Sequence, residues 1–151
     1  MAVLFFDTSA LVRRYDPRET GGLKVRGLCR PGSGHEVMIA RITLVEVAAA
    51  LNRKVRERKL AAARRDQLWR LFRIHCRKQY VVTTVDESTF QRAERLLFSH
   101  RLRGYDAVQI AGALEARPVV VSPGVDFRFC TADRAQAEAA EREALAVEFI
   151  T

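Results

Sequence analysis

Apolar residues fill Ala2 to Phe6 without a break, the pattern of a strand buried on both faces, and the run stops at the helix-capping triplet Asp7-Thr8-Ser9. A short helix over 9–15 follows, with Asp16-Pro17 as its stop. Glu19-Thr20-Gly21-Gly22 and Arg30-Pro31-Gly32-Ser33-Gly34 are loop chemistry on either side of one short helical piece. Val37 to Ala40 is a second strand. Thr43-Leu44-Val45-Glu46 has the spacing of a capping box and opens an alanine-rich helix to about Lys59.

Between Ala61 and Lys78, Leu68, Leu71, Phe72 and Cys76 recur at helical intervals with arginines on the other faces, which predicts an amphipathic helix. Trp69, Leu71 and Phe72 are expected in the core, with a protein interface as the other use. Tyr80 to Thr84 predicts a third strand and Glu87 to His100 a helix. Asp106 opens the next helix, which should end near Arg117-Pro118. Val119 to Gly124 fits no element clearly. Phe127 to Thr131 is a strand, Asp133 starts a helix to about Leu145, and Val147 to Ile150 is an edge strand. This alternation predicts one α/β domain over 1–151, with a mainly parallel sheet covered by helices on both faces.

Composition narrows the class. At 151 residues with 48% hydrophobic and 29% charged positions, the chain can bury a core and is not a disordered tail. Twenty-six basic against eighteen acidic residues leave a net charge of +8, which points to a polyanionic partner such as nucleic acid. No apolar run approaches the ~18 residues of a membrane helix, and Asp7 interrupts what could be a signal sequence, so a cytoplasmic protein is expected. Cys29, Cys76 and Cys130 are widely spaced and read as thiols in a reducing compartment; His35, His75 and His100 lack ligand spacing.

Chemistry concentrates in carboxylates at strand-to-helix junctions, where open parallel sheets collect their ligands. Asp7 follows the first strand, Glu46 lies in the first turn of a helix, Asp106 opens a helix and Asp133 follows the last central strand. Each taken alone is explained as a cap or a partner for a helix dipole. Together they would repel strongly, by roughly 4 kcal/mol for a pair ~4 Å apart at an effective dielectric near 20, and would need a cation. Oxygen-only ligands favour Mg²⁺ or Mn²⁺, which retain waters and accept phosphate oxygens. That donor set suits phosphodiester chemistry.

Four stretches carry a family likeness: Phe5-Phe6-Asp7-Thr8-Ser9-Ala10-Leu11, Thr43-Leu44-Val45-Glu46-Val47, Leu102-Arg103-Gly104-Tyr105-Asp106-Ala107 and Phe129-Cys130-Thr131-Ala132-Asp133. In series they resemble PIN-domain ribonucleases of the VapC toxin type. The resemblance implies a three-layer α/β/α sandwich with strand order 3-2-1-4-5, one acidic pocket, and Mg²⁺- or Mn²⁺-dependent cleavage of RNA by water. It makes Asp7, Glu46, Asp106 and Asp133 the catalytic, metal-binding carboxylates, with Thr131 and Ser9 as supporting hydroxyls. Two departures stand out: the stretch from Arg117 to Phe127 is long for the connection before the last motif, and its Asp126 competes with Asp133 for the fourth acidic place.

Arg13, Arg14, Arg53, Lys54, Arg56, Arg58, Lys59, Arg64 and Arg65 put positive charge in the first half of the chain. Arg101 and Arg103, just ahead of Asp106, and Arg13 and Arg14 are the candidates for RNA phosphates. The resemblance further implies a homodimer and a VapB-like antitoxin partner. The alternative is a non-catalytic PIN-fold module that binds RNA or protein, against which four converging negative charges argue. A haloacid-dehalogenase-like phosphatase needs a second Asp two positions after the first, where this chain has Ser9.

Overall fold

The first apolar run forms β1 (Ala2–Phe6), buried along its whole length. The computed structural model, which describes residues 1–16 and 18–151, makes this strand the middle of a five-stranded sheet in the order β3-β2-β1-β4-β5. Its neighbours are β2 (Glu36–Ala40) and β4 (Asp126–Thr131), and β3 (Tyr80–Thr83) and β5 (Ala146–Phe149) form the edges. Every pairing is parallel, so the 3-2-1-4-5 order is the one found. Parallel strands need crossover connections, and helices supply them. They are α1 (Thr8–Leu11), continued by a 3-10 turn over Val12–Arg14, α2 (Gly22–Cys29), α3 (Ile42–Arg56), α4 (Ala62–Lys78), α5 (Glu87–Ser99), α6 (Gly104–Val120) and α7 (Arg134–Arg142).

Alternation along β1 divides the core into two layers. Leu4 and Phe6 face Val25, Leu44, Leu51, Leu68 and Phe72, while Val3 and Phe5 face Ala93, Leu96, Ile110 and Ala139. Helices therefore cover both sheet faces, the α/β/α sandwich expected from the alternating pattern. Phe5, Phe6, Phe72 and Phe129 are fully buried, each stabilising the fold by ~1.5–3 kcal/mol. α6 lies close to the sheet because Gly112 presents no side chain there: a Cβ at that position would sit 3.3 Å from Phe5 Cζ and 3.7 Å from Ala40 Cβ. Phe72 is core and Trp69 packs against it with ring centroids 5.5 Å apart, but Leu71 faces outward, 43% exposed.

Several boundaries differ from expectation for local reasons. α3 starts at Ile42, Arg41 before it is already helical, and no side chain caps the end, so Thr43 and Glu46 form no capping box. It stops at Arg56, short of Lys59. α6 begins two residues before Asp106, after an extended Arg103. It also runs through Pro118 to Val120. Proline removes one ladder donor, but its fixed φ is helical and the Val121 amide still donates to the Arg117 carbonyl at 3.0 Å. The long Arg117-to-Phe127 stretch is thus helix at one end and strand at the other. α7 stops at Arg142, before Leu145, because Ala144 takes a left-handed φ of 61° while the Leu145 amide closes back on the Ala140 carbonyl at 3.0 Å. The expected stop at Asp16-Pro17 involves Pro17, which lies outside the described residues. Among the described residues no helix is long and apolar enough to cross a membrane.

Candidate active site

β1 and β4 end side by side, and the chain places Asp7 at the tip of one and Thr131 at the tip of the other. The Asp7 amide donates to the Cys130 carbonyl at 3.0 Å, so the backbone holds this residue as an extension of the sheet. Its carboxylate caps α1, accepting from the Ala10 amide at 2.9 Å. Thr131 donates to Asp7 Oδ2 at 2.5 Å, and Ser9 donates to Asp7 Oδ1 at 2.8 Å. The two hydroxyls lie 3.2 Å apart, and each also receives a backbone amide: Ala132 N–H to Ser9 at 3.0 Å and Asp133 N–H to Thr131 at 3.1 Å. Thr131 and Ser9 thus both hydrogen-bond the Asp7 carboxylate.

Asp7 is 1% exposed. Burial raises its pKa from the ordinary 3.8 to about 7, against the lowering effect of the Thr131, Ala10 and Ser9 hydrogen bonds, and the nearby Asp106 charge adds to the rise. Asp106 is half-buried and also raised, first by burial and then by the charges of Asp133 and Glu46, with Arg103 opposing. These mutual influences are those of four carboxylates around one opening. Asp7, Glu46, Asp106 and Asp133 together line a pocket of about 430 Å³.

Glu46 is held where no capping box explains it. Its Oε1 accepts from Thr8 Oγ1 at 2.8 Å and from Gln109 Nε2 at 2.7 Å. Gln109 is 2% exposed and also donates to Thr43 Oγ1 at 2.9 Å, while its own Oε1 is buried with no partner among the described residues. Asp133 caps α7 by accepting from the Gln136 amide at 3.0 Å, and Gln136 Nε2 donates to the Asp106 carbonyl at 3.1 Å, tying α7 to α6. Sequence reasoning missed Gln109 and Gln136. The available signal for Gln109 was a polar side chain one turn after Asp106 in an otherwise apolar stretch.

Asp126 has no part in the pocket. It starts β4 level with Ala2, at the opposite end of the sheet, and pairs with Arg128 at 2.7 Å. Among the phosphate candidates, only Arg103 reaches the pocket; Arg101 does not line it. Arg13 is turned toward the Thr20 carbonyl and Glu19, and Arg14 toward Gln79 and Tyr80, because each finds an acceptor in its own layer. Arg53 and Arg56 supply the pocket's other positive charges. They follow Glu46 by seven and ten positions, which returns them to the same face of α3. His75 bonds the Tyr15 hydroxyl at 2.7 Å and His100 bonds Glu143 at 2.8 Å, both away from the pocket. Cys29 and Cys130 are buried, and neither they nor Cys76 is in a disulfide.

Oxygen is the only donor type the four acidic side chains offer, and burial first, then neighbouring carboxylates, holds Asp7 and Asp106 above the usual carboxylate range. Among the described residues no three acidic, histidine or cysteine side chains converge closely enough to enclose an ion by themselves. Mg²⁺ fits such an arrangement, since it uses one or two carboxylates and keeps several waters.

The PIN domain model matches residues 4–142, all four carboxylates included. The chain belongs to the PIN-domain family. Within that family this PIN domain is of the VapC type: it is 33% identical over 117 residues to ribonuclease VapC45 of Mycobacterium tuberculosis, covering 76% of each chain. The fold is shared with the M. tuberculosis toxin VapC20, described as cleaving the sarcin-ricin loop, at a TM-score of 0.64 and 17% identity over 90% of this chain and 94% of that one. DNA-bound VapBC from Salmonella typhimurium gives a TM-score of 0.65 at 11% identity, with full coverage of both chains.

Proposed function

We propose that this single-domain protein is a Mg²⁺- or Mn²⁺-dependent endoribonuclease and the toxin of a toxin-antitoxin pair. The observation that carries the reading is the pocket at the carboxyl end of the sheet, which Asp7, Glu46, Asp106 and Asp133 line together with Arg53, Arg56 and Arg103. Carboxylates alone would repel RNA; carboxylates ringed by arginines suit a substrate whose phosphates must approach a cation site. Relatives named as ribonucleases support the reaction class.

The four carboxylates would hold the ion directly or through water. When bound, the ion supplies charge neutralisation at the phosphate and a water of lowered pKa. Arg53, Arg56 and Arg103 draw in and orient the phosphodiester backbone. Thr131, Ser9 and the Ala10 amide fix both oxygens of Asp7, so the carboxylate keeps its orientation as charge changes beside it. Gln109 and Thr8 do the same for Glu46. Hydrolysis breaks the bond between phosphorus and the leaving oxygen, with water as the nucleophile.

A VapB-like antitoxin and a second copy of the chain are the proposed protein partners; the Salmonella typhimurium neighbour is itself a VapBC assembly. The proposed location is the cytoplasm, where thiols such as Cys29 and Cys130 stay reduced.

The test is cleavage of structured and unstructured RNA by purified protein with Mn²⁺, Mg²⁺ or EDTA. Cutting should require a metal. RNA binding without cleavage under either ion would replace the nuclease reading with that of a binding module. Gln109→Leu should lower the cleavage rate by roughly 10- to 100-fold, the usual loss when the group orienting a ligand is removed. The melting temperature should change little, because the substitution also removes the unpartnered Oε1. A full-rate variant would show that Glu46 needs no such support.

A further inference from the structure

A second pocket, on the other side of α1 and its 3-10 turn, has chemistry the active site does not explain. It has a volume of about 350 Å³, within the usual range for small-ligand sites, and its charged lining is Arg14, Arg26, Arg30 and Arg64, with His75 beside them. Among the described residues no carboxylate lines it. The ion pairs nearest in sequence join Arg13 to Glu19 and Arg65 to Asp66, and Arg14, Arg26, Arg30 and Arg64 form none among the described residues. Four unpaired guanidinium groups around one cavity repel one another, so the fold leaves an excess of positive charge that an anion would relieve.

Hydrogen bonds tie the floor of this cavity together. Arg14 is half-buried, donates to Gln79 Oε1 at 2.9 Å and to the Tyr80 hydroxyl at 2.6 Å, and lies over the Tyr80 ring with its guanidinium carbon 5.6 Å from the centroid. Tyr15 bonds both Tyr80, at 2.6 Å, and His75, at 2.7 Å. Arg26 Nε donates to the Arg14 carbonyl at 3.0 Å, locking α2 against the same floor. Each guanidinium has five N–H donors, and these bonds use only one or two of them. Pro31 and Leu71 add an apolar wall. Burial and the Arg14 charge hold His75 down to about 4, so the ring is neutral near pH 7 and positive charge in the cavity comes from the arginines.

We propose that this arginine-lined cavity between α2 and α4 is a phosphoryl-binding site separate from the acidic pocket. Guanidinium forks match phosphate oxygens in pairs, which makes phosphate the favoured anion over a small monovalent ion. The phosphoryl group comes either from the phosphodiester backbone of RNA or from a free phosphorylated compound. The site does not depend on the nuclease reading, because none of its residues lines the acidic pocket.

Titration calorimetry with EDTA present tests the proposal, using pyrophosphate and a short RNA as separate probes. Arg30 and Arg64 are exposed, so the double variant Arg30→Ala/Arg64→Ala should fold as the wild type, which its melting temperature checks. It should bind at least one probe roughly tenfold or more weakly, whereas Arg103→Ala should leave pyrophosphate binding intact. The His75 ring resonances of the wild type should shift on addition of the probe that binds. Loss with RNA identifies a backbone phosphate as the source; loss with pyrophosphate alone identifies a free compound. The proposal is overturned if the double variant binds both probes like the wild type, if Arg103→Ala rather than the double variant abolishes pyrophosphate binding, or if the wild type binds neither probe at millimolar concentration.

Discussion

Asp7→Asn is expected to lower metal-dependent RNA cleavage by more than roughly a hundredfold while making the metal-free protein more resistant to heat. The loss should exceed the 10- to 100-fold typical of a residue that merely supports a ligand, because Asp7 is itself a proposed ligand. The gain in stability has a separate cause. Folding moves this carboxyl from water to a site 1% exposed and raises its pKa to about 7. The folded and unfolded values differ by about three pH units at ~1.4 kcal/mol each, so about 4 kcal/mol is the upper bound on what charging Asp7 costs the fold at alkaline pH. Asparagine keeps an oxygen for the Ala10 amide and the shorter Ser9 bond and removes the charge, but its amide must then face Thr131, which donates to Asp7 Oδ2. The net gain is therefore smaller than the bound. Cleavage assays and thermal melts of the same two proteins read both effects, and a variant that still cuts at the wild-type rate would remove Asp7 from the site.

The stability of the metal-free wild type should fall as pH rises from about 4 to 7, and Mg²⁺ or Mn²⁺ should restore it. The folded protein holds a proton on Asp7 up to about pH 7, whereas the unfolded chain releases it near 3.8. Between those values the folded state binds more protons, so raising the pH favours unfolding. Asp106, raised in the same direction, reinforces the slope. A divalent cation in the pocket replaces those protons and stabilises the folded state in proportion to its occupancy. Melting temperatures measured across this pH range, with EDTA and then with metal, should form two curves that separate toward neutral pH. Asp7→Asn should flatten the EDTA curve. Curves that stay parallel in metal and EDTA would count against a cation site at these carboxylates.

Much of the architecture was legible because β1 is apolar throughout and the other strands stand between helical periods. The placing of Asp7 and Asp133 near each other was legible because Asp7 directly follows β1 and Asp133 lies two residues past the end of β4, strands that end together. Local reasoning failed where a distant partner decides the outcome. Thr43 and Glu46 have capping-box spacing, yet both bond Gln109 on another helix, a contact between residues 63 to 66 apart in sequence. Arg13 and Arg14 follow Asp7 closely, but the 3-10 turn carries them away from it, while Arg53 and Arg56 reach the pocket along the face of α3. Asp126 was a rival to Asp133 only until strand direction was known, since it begins β4 and Asp133 follows its end. Pro118 is a helix breaker by rule, but near a helix end it forfeits one bond and no more.

The hydrogen bond from Thr131 to Asp7 spans 124 residues, and the central pairing of β1 with β4 spans as many. Contacts of such length form late, because closing the intervening chain costs entropy before any burial offsets it. During synthesis, β1 emerges first and must wait for β4. Until then Asp7 lacks its Thr131 donor, and its amide lacks the Cys130 carbonyl. Under the nuclease reading, a nascent chain attached to the ribosome has no assembled centre, and the RNA nearest to it is the machinery and message making it. Under that reading, the sheet order would delay assembly of the centre until β4, the second-last strand, has been made.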